Sequence, residues 1–278
     1  DMKNAGALAF GDYKKALQNA NLQKIALQYA QDFDGLIITF CQDSALKGAG
    51  IANEGIVSTK LGMKGIPALA EEIHVARNLF LLEYTGGKVH IPTISTLGSI
   101  KLINEAKAKG LQVTCSVAVH NLVLNDEVLV GFDSRYKVVP PLREEATRKA
   151  LIEAVLDGTI DCITSDHNPL DIELKKLEFD LAKEGTIGLE SAYGALATIL
   201  PLEVIIDKLT ASKEIFKINK VTIAVGNKAD ISMFTTNDNW TFGKEHLLSK
   251  SKNSAFFGQK MKGKVIGIYN NGQLITNN

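Results

Sequence analysis

The 278-residue chain is short of cysteine, of tryptophan and of long apolar runs, and its charges cancel. Each shortage excludes something. Cys41, Cys115 and Cys162 are the only cysteines, they show no CxxC spacing, and each lies in or beside an apolar run. A disulfide framework or a cysteine-cluster metal site is therefore not expected. Cys41 has the chemistry of a nucleophile, but its setting reads as a core or site-lining thiol. Three buried, reduced thiols fit a cytoplasmic setting, and no signal peptide is visible at the start. No apolar run approaches the ~20 residues a membrane helix needs. Lysine plus arginine equals aspartate plus glutamate at 31 each, which gives no argument for nucleic acid or an anionic membrane as partner. The basic cluster at 260–264 reads as a solvated strand edge. No GxGxxG follows any apolar run, so the dinucleotide-binding fingerprint is absent.

What the chain does have is alternation. Apolar runs at 6–10 (GALAF), 34–40 (DGLIITF), 88–91, 112–117 and 162–165 (CITS) read as five strands. Helical spacing follows at 17–31, at 66–81 with Pro67 in the first turn, at 99–109 closed by Gly110, and at 144–156. Strands that are apolar along their whole length, alternating with helices, predict a parallel sheet buried on both faces. Right-handed crossovers leave a barrel, or an open flavodoxin-like sheet as the plainer alternative. After residue 218 the texture changes to short β-type runs at 228–234, 264–269 and 273–276, separated by Gly/Asn turns such as Asn270-Asn271-Gly272. These predict part of a small antiparallel β domain in which Trp240, the one tryptophan, packs. The expected division is 1–218 for the barrel and 219–278 for the C-terminal part of a β-sandwich.

In a parallel barrel, chemistry sits at the C-terminal strand ends. Those ends carry Gly11-Asp12, then Phe40-Cys41-Gln42-Asp43, then His90 through Thr93, then His120-Asn121, and last Asp166-His167-Asn168-Pro169. Several strings here resemble the dihydroorotase branch of the amidohydrolases. They are Asn53-Glu54-Gly55, Gly65-Ile66-Pro67 with Ala70-Glu71, Pro140-Pro141-Leu142-Arg143, Ser165 through Pro169, Gly185 through Glu190, and Gly226 through Asp230, in the family's order. The resemblance implies a TIM-like (β/α)8 metal-dependent-hydrolase barrel, partial in this chain, plus a small β-sandwich.

It also implies a ligand set of an His-x-His pair, a bridging carboxylate, two further histidines and an aspartate that doubles as the proton-transfer group. Imidazoles and carboxylates hold zinc with one position open, and the metal brings the pKa of bound water to about 7. Carried over residue by residue, Asp12 takes the bridging position and Asp166 the general-base position. The two histidine positions are Phe40 and Thr93, and no His-x-His occurs. On the substrate side Gly188 lies in the glycine-rich loop, while the expected asparagine and histidine are Val139 and Leu170. A phenyl ring cannot donate to zinc, and catalytic zinc normally needs three protein ligands.

The expectation is therefore the family's fold with impaired or lost hydrolysis, no cofactor, and a structural or regulatory role beside aspartate carbamoyltransferase, in a homo-oligomer. The alternative is an active cyclic amidohydrolase using one zinc held by a His-x-His pair outside this sequence together with Asp12 and Asp166, and a third reading is a binding module for some other small ligand. His90, His120 and His167 are read as packing or hydrogen-bonding groups, and His74 and His246 as surface residues. Two buried carboxylates at one rim would repel, so one is expected to be protonated or paired with a lysine or arginine, with Arg143 a candidate. The start at Asp1-Met2-Lys3, the five-strand count and the short connection at 196–203 suggest a longer natural chain.

Overall fold

A computed structural model describes every residue except Lys220 and Asn278. The five runs form one parallel sheet in chain order: β1 (Ala9–Phe10), β2 (Leu36–Ile38), β3 (Lys88–Ile91), β4 (Val113–Ala118) and β5 (Cys162–Thr164). The register pairs Phe10 with Ile37, Ile37 with Val89, Ile91 with Cys115, and Ser116 with Cys162. Both faces are covered: Val89, Ile91, Cys115 and Val117 on one face and His90 and Ser116 on the other are all buried. The two central strands are not apolar throughout as their runs suggest: apolar side chains alternate with His90, Thr114 and Ser116, of which His90 and Ser116 line the strand-end cavity.

Between the strands run α1 (Ala20–Gln31), α2 (Leu69–Thr85), α3 (Leu97–Ala108) and α4 (Glu145–Leu156). Each turns one stripe inward, and Leu27, Leu82, Ile103 and Leu151 join the sheet in a single core. Helix α1 begins three residues later than its pattern suggests. The Asn19 side chain accepts the Asn21 and Leu22 amides at 2.9 and 3.2 Å, an N-cap that fixes the start. Helix α2 also starts late, since Gly65–Ile66 is drawn into a short parallel bridge with Ala52–Asn53. His74, expected at the surface, lies on the inward face of α2 and is buried. Its Nδ1 is 3.3 Å from the Asn78 side chain, and burial lowers its pKa to about 4.

After β5 come three short helices, α5 (Ala192–Leu196), α6 (Leu202–Thr210) and α7 (Ser212–Ile215). Pro201 stands at the N-cap of α6. The remainder is antiparallel β structure: β6 (Ile231–Phe234), β7 (Asn239–Thr241), β8 (Lys260–Lys262), β9 (Val265–Asn270) and β10 (Gln273–Thr276). β10, β9 and β6 form one sheet, and β8 pairs with β7 in another. The β9–β10 hairpin closes on Asn271 and Gly272, whose φ values of 50° and 78° are those of the two-residue turn that suits strand twist. Trp240 packs where the pattern predicts, its ring 5.9 Å from that of Phe242 and its Nε1 donating to the Gly263 carbonyl at 2.9 Å. His246 is not a plain surface residue, since its ring lies 4.5 Å from that of Trp240. Phe242, Phe256 and Met261 continue the core of the parallel sheet into this region. The last residue of the expected second segment, 278, lies outside the described residues.

Truncating the central strand should damage the core far more than truncating the exposed hairpin. Ile91→Ala is expected to lower unfolding free energy by about 2–5 kcal/mol, and Ile266→Ala by no more than about 0.5 kcal/mol, both read from urea midpoints.

Candidate functional site at the strand ends

The C-terminal strand ends surround a cavity of about 470 Å³ whose lining includes Asp12, Lys14, Phe40, His90, Thr93, Ser116 and Asp166. Thr93 and Asp166 both sit at positive φ, 50° and 47°, a backbone region that non-glycine residues adopt rarely. Two strand exits thus carry strained residues into the same cavity.

The pattern-derived positions do come together, but not in the expected arrangement. Asp166 is buried and Asp12 is exposed, so there is no buried pair of repelling carboxylates. The cation beside Asp166 is Lys14, not Arg143. Lys14 Nζ is 2.6 Å from Asp166 Oδ2, with side-chain exposures of only 11% and 5%, and it also donates to the Val139 carbonyl at 2.8 Å. Burial pushes the Asp166 carboxyl above its usual range, while the Lys14 ammonium pulls the other way without cancelling it. Sequence reasoning missed Lys14. Its signal was its place two residues beyond Asp12, in the first strand exit.

Phe40 is a buried apolar wall of the cavity. Thr93 is buried with no partner for its hydroxyl. Neither ring nitrogen of His90 is free: Nδ1 lies 2.9 Å from Thr114 Oγ1 and Nε2 3.3 Å from Ser116 Oγ. Burial lowers the pKa of His90 to about 4, and its ring packs edge-on against Phe216 at 5.7 Å. His120 comes closer to the site than expected. It is fully buried, its pKa is pushed down to about 3 by burial and then by Lys14, and its unpartnered Nε2 lies 3.8 Å from Asp166 Oδ2. His167 instead holds the glycine-rich loop, its Nδ1 accepting the Gly188 and Leu189 amides at 3.3 Å.

Gly188 is required by close approach, because a Cβ there would fall 2.4 Å from the Ser165 carbonyl oxygen. Val139 contributes its carbonyl to Lys14. Leu170 is held through its backbone, its amide donating to Ser251 Oγ at 3.1 Å. The Cys41 thiol is buried, donates to the Thr39 carbonyl at 3.5 Å and has its pKa pushed up to about 12, which does not suit a nucleophile.

Among the described residues, no three His, Cys, Asp or Glu side chains converge as a metal site. The donors that this chain brings to the mouth are Asp166, already bound to an ammonium, the exposed Asp12, and two buried imidazoles, His90 with both nitrogens engaged and His120; among the described residues no three of them converge. Those residues do not fit a catalytic zinc, which needs three protein donors.

Arg143 belongs to a different cluster. Its Nη1 donates to Asn53 Oδ1 at 2.8 Å, its Nε to Ser95 Oγ at 3.1 Å, and its Nη2 lies 3.7 Å from Glu71. Glu71 in turn accepts the Ser95 amide at 2.8 Å and the Ser99 hydroxyl at 2.7 Å. Asn53 completes the cluster by donating to Glu144 at 3.0 Å. The residues Asn53, Glu71 and Arg143, drawn from three separate motifs, therefore tie together the 52–53 bridge, the first turn of α2 and the segment leading into α4.

A parallel sheet in chain order with helices between its strands and polar groups gathered at one set of strand ends is the arrangement of a (β/α) barrel, five strands of which lie in this chain. The solved structures agree on that fold. An L-hydantoinase (dihydropyrimidinase) from Arthrobacter aurescens superposes with a TM-score of 0.85 at 20% identity, over 99% of this chain and 66% of that one. Dihydropyrimidinase from Brevibacillus agri gives 0.83 at 23%, over 100% and 65%. Residues 1–99 match the family described as dihydro-orotase-like. The dihydroorotase of Pelotomaculum thermopropionicum is 42% identical over 270 residues, covering 95% of this chain and 63% of the relative. That of Syntrophus aciditrophicus is 38% identical over 281 residues, covering 99% and 66%. The chain is thus similar to dihydroorotases along nearly its whole length, and it spans 63–66% of the length of these relatives, just under two thirds. No helix among the described residues is long and apolar enough to cross a membrane.

Removing the ammonium should leave Asp166 buried and unpaired, a loss of about 3–5 kcal/mol in Lys14→Met. An unpaired carboxyl has a folded pKa above its unfolded one, so its penalty is absent below the unfolded pKa and grows as pH rises. The thermal deficit of Lys14→Met is therefore expected to be larger at pH 7 than at pH 4. Adding Asp166→Asn should remove most of that difference. Arg143→Met should likewise lose about 3–5 kcal/mol by stranding Glu71, with Arg143→Lys only a partial rescue because the forked contacts to Asn53 and Ser95 are gone; thermal melts of the two variants check this.

Proposed function

We propose that this chain forms part of a dihydroorotase-family protein of pyrimidine biosynthesis whose metal-dependent hydrolysis is lost or severely impaired. In this reading it acts as a structural or regulatory partner of aspartate carbamoyltransferase. The single observation that carries the proposal is the Lys14–Asp166 contact of 2.6 Å. At the family's general-base position the carboxylate is already neutralised by a side chain of the same protein, which is itself anchored to the Val139 carbonyl. A general base must be free to accept a proton from the attacking water, and a carboxylate that holds an ammonium is a poor one. Phe40 and Thr93 at the two histidine positions support the same reading, because neither supplies a nitrogen donor.

A second reading keeps activity with a single zinc on Asp12 and Asp166. The feature in its favour is the unpartnered His120 Nε2, 3.8 Å from Asp166. For zinc to use Asp166, Lys14 must swing away, and that movement would leave the Val139 carbonyl without its donor.

The purified protein is expected to carry substoichiometric zinc by elemental analysis and to show no interconversion of carbamoyl-aspartate and dihydroorotate. It should co-purify with aspartate carbamoyltransferase when the two are co-expressed. Stoichiometric zinc together with cyclisation would establish the second reading in place of the first.

A further inference from the structure

The motif string Gly226 through Asp230 takes no part in the strand-end mouth, yet two of its side chains reach the turn of the β9–β10 hairpin. Lys228 Nζ donates to Asn271 Oδ1 at 2.6 Å, and Asn270 Nδ2 donates to Asp230 Oδ1 at 2.9 Å. Two adjacent side-chain amides therefore sit beside charges of opposite sign. Lys228, Asp230, Asn270, Asn271 and Gly272 are all exposed, so water reaches the whole arrangement.

Asn271-Gly272 is the one Asn-Gly pair in the chain. The backbone nitrogen that follows an asparagine lies within reach of that side chain's carbonyl carbon, and attack there closes a five-membered imide. A side chain on the following residue obstructs the approach, and glycine has none. The space at Gly272 is open as well, since a Cβ built there would meet nothing within 4 Å. The ladder pairs Asn270 with Gln273, which leaves Asn271 and Gly272 outside it at the hairpin tip, the part of such a structure that opens most easily.

We propose that Asn271 is a site of spontaneous deamidation assisted by Lys228. The Gly272 amide nitrogen loses its proton to water or hydroxide and bonds to Asn271 Cγ. The Cγ carbonyl electrons move onto Oδ1, where the Lys228 ammonium stands ready to meet the developing negative charge. The Cγ–Nδ2 bond then breaks, and Nδ2 takes a proton and leaves as ammonia. One water opens the imide. Opening at Cγ gives aspartate, and opening at the original backbone carbonyl gives isoaspartate, with the chain now running through the side chain. The net change is one water consumed and one ammonia released, with no oxidant or reductant. Asn270 lacks each of these advantages: its successor carries a Cβ, and the Asp230 carboxylate beside it opposes negative charge. The two products differ in consequence. Aspartate keeps the turn and pairs with Lys228, whereas isoaspartate adds a methylene to a two-residue loop whose length sets the register of β9 on β10. The proposal is independent of whether the strand-end mouth is active.

The folded protein, incubated in buffer at mildly alkaline pH and followed by peptide mass spectrometry, should gain one dalton at Asn271 while Asn270 stays intact. The formal net charge falls from zero to minus one, which isoelectric focusing resolves in the whole chain. Lys228→Met should slow the gain about two- to fivefold, the worth of an exposed charge contact, and Lys228→Arg should restore it. In urea, where the contact is absent, all three chains should react at one rate, which separates the effect of the fold from that of the local sequence. Hydrogen exchange at the β10 amides should quicken in the isoaspartate fraction and stay near the starting rate in the aspartate fraction. An Asn271 that survives prolonged incubation would overturn the proposal, as would equal reaction at Asn270. A folded Lys228→Met chain that reacts as fast as the wild type would remove the lysine from it.

Discussion

A buried lysine holding a buried aspartate decides how the strand-end mouth is built. Lys14 reaches from the first strand exit, Asp166 belongs to the last, and the Val139 carbonyl that Lys14 also holds lies just ahead of the Pro140-Pro141-Leu142-Arg143 segment. Three stretches far apart in sequence are fixed by one ammonium group. The upward shift of the Asp166 carboxyl shows which effect wins there: loss of water outweighs the attraction of a cation 2.6 Å away. The pair compensates for burial and is not a net source of stability, as is usual for buried ion pairs. Its consequence is placement, because neither partner can leave without stranding the other.

The same distinction separates two uses of family motifs in this chain. The cluster of Asn53, Glu71, Ser95, Ser99 and Arg143 is closed, with donors and acceptors matched over short distances. Such a network is costly to leave half made and rigid once complete. It serves the scaffold. The residues that would face a metal have no such closure: Thr93 and His120 keep unpartnered polar atoms, and Phe40 offers none. A motif string carries both kinds of residue, so a high identity over the string does not tell which kind has been kept.

Much of the scaffold was legible in the sequence. Two of the five strand positions, β1 and β2, follow from runs of three or more apolar residues that no polar residue interrupts, and the 88–91 run, though it alternates, matches β3 residue for residue. Helix ends were less so. The start of α2 is displaced because Gly65 and Ile66 pair with Ala52 and Asn53 across 13 residues, a contact with no local signature. His74 was read as a surface residue because α2 is apolar on both faces, which leaves periodicity with little to say about which face is inward. The Lys14–Asp166 contact spans 152 residues and rests on strand order, which spacing along the chain does not encode. Arg143 was favoured as the cation because it stands in a recognised motif; the sheet order put Lys14 nearer.

The apolar outer surface of α2 makes sense of that ambiguity. A helix buried on one side of a barrel needs one stripe, and charged residues elsewhere keep it soluble, as α3 and α4 show. α2 spends its second face on leucine, isoleucine, phenylalanine and tyrosine, which lose favourable burial wherever water covers them. Isolated exposed apolar side chains are ordinary, but a continuous stripe of them is not, and α3 and α4 carry exposed charges where α2 carries this stripe. The sequence pattern that blurred the inward face of α2 is this same feature: apolar residues on both sides of one helix.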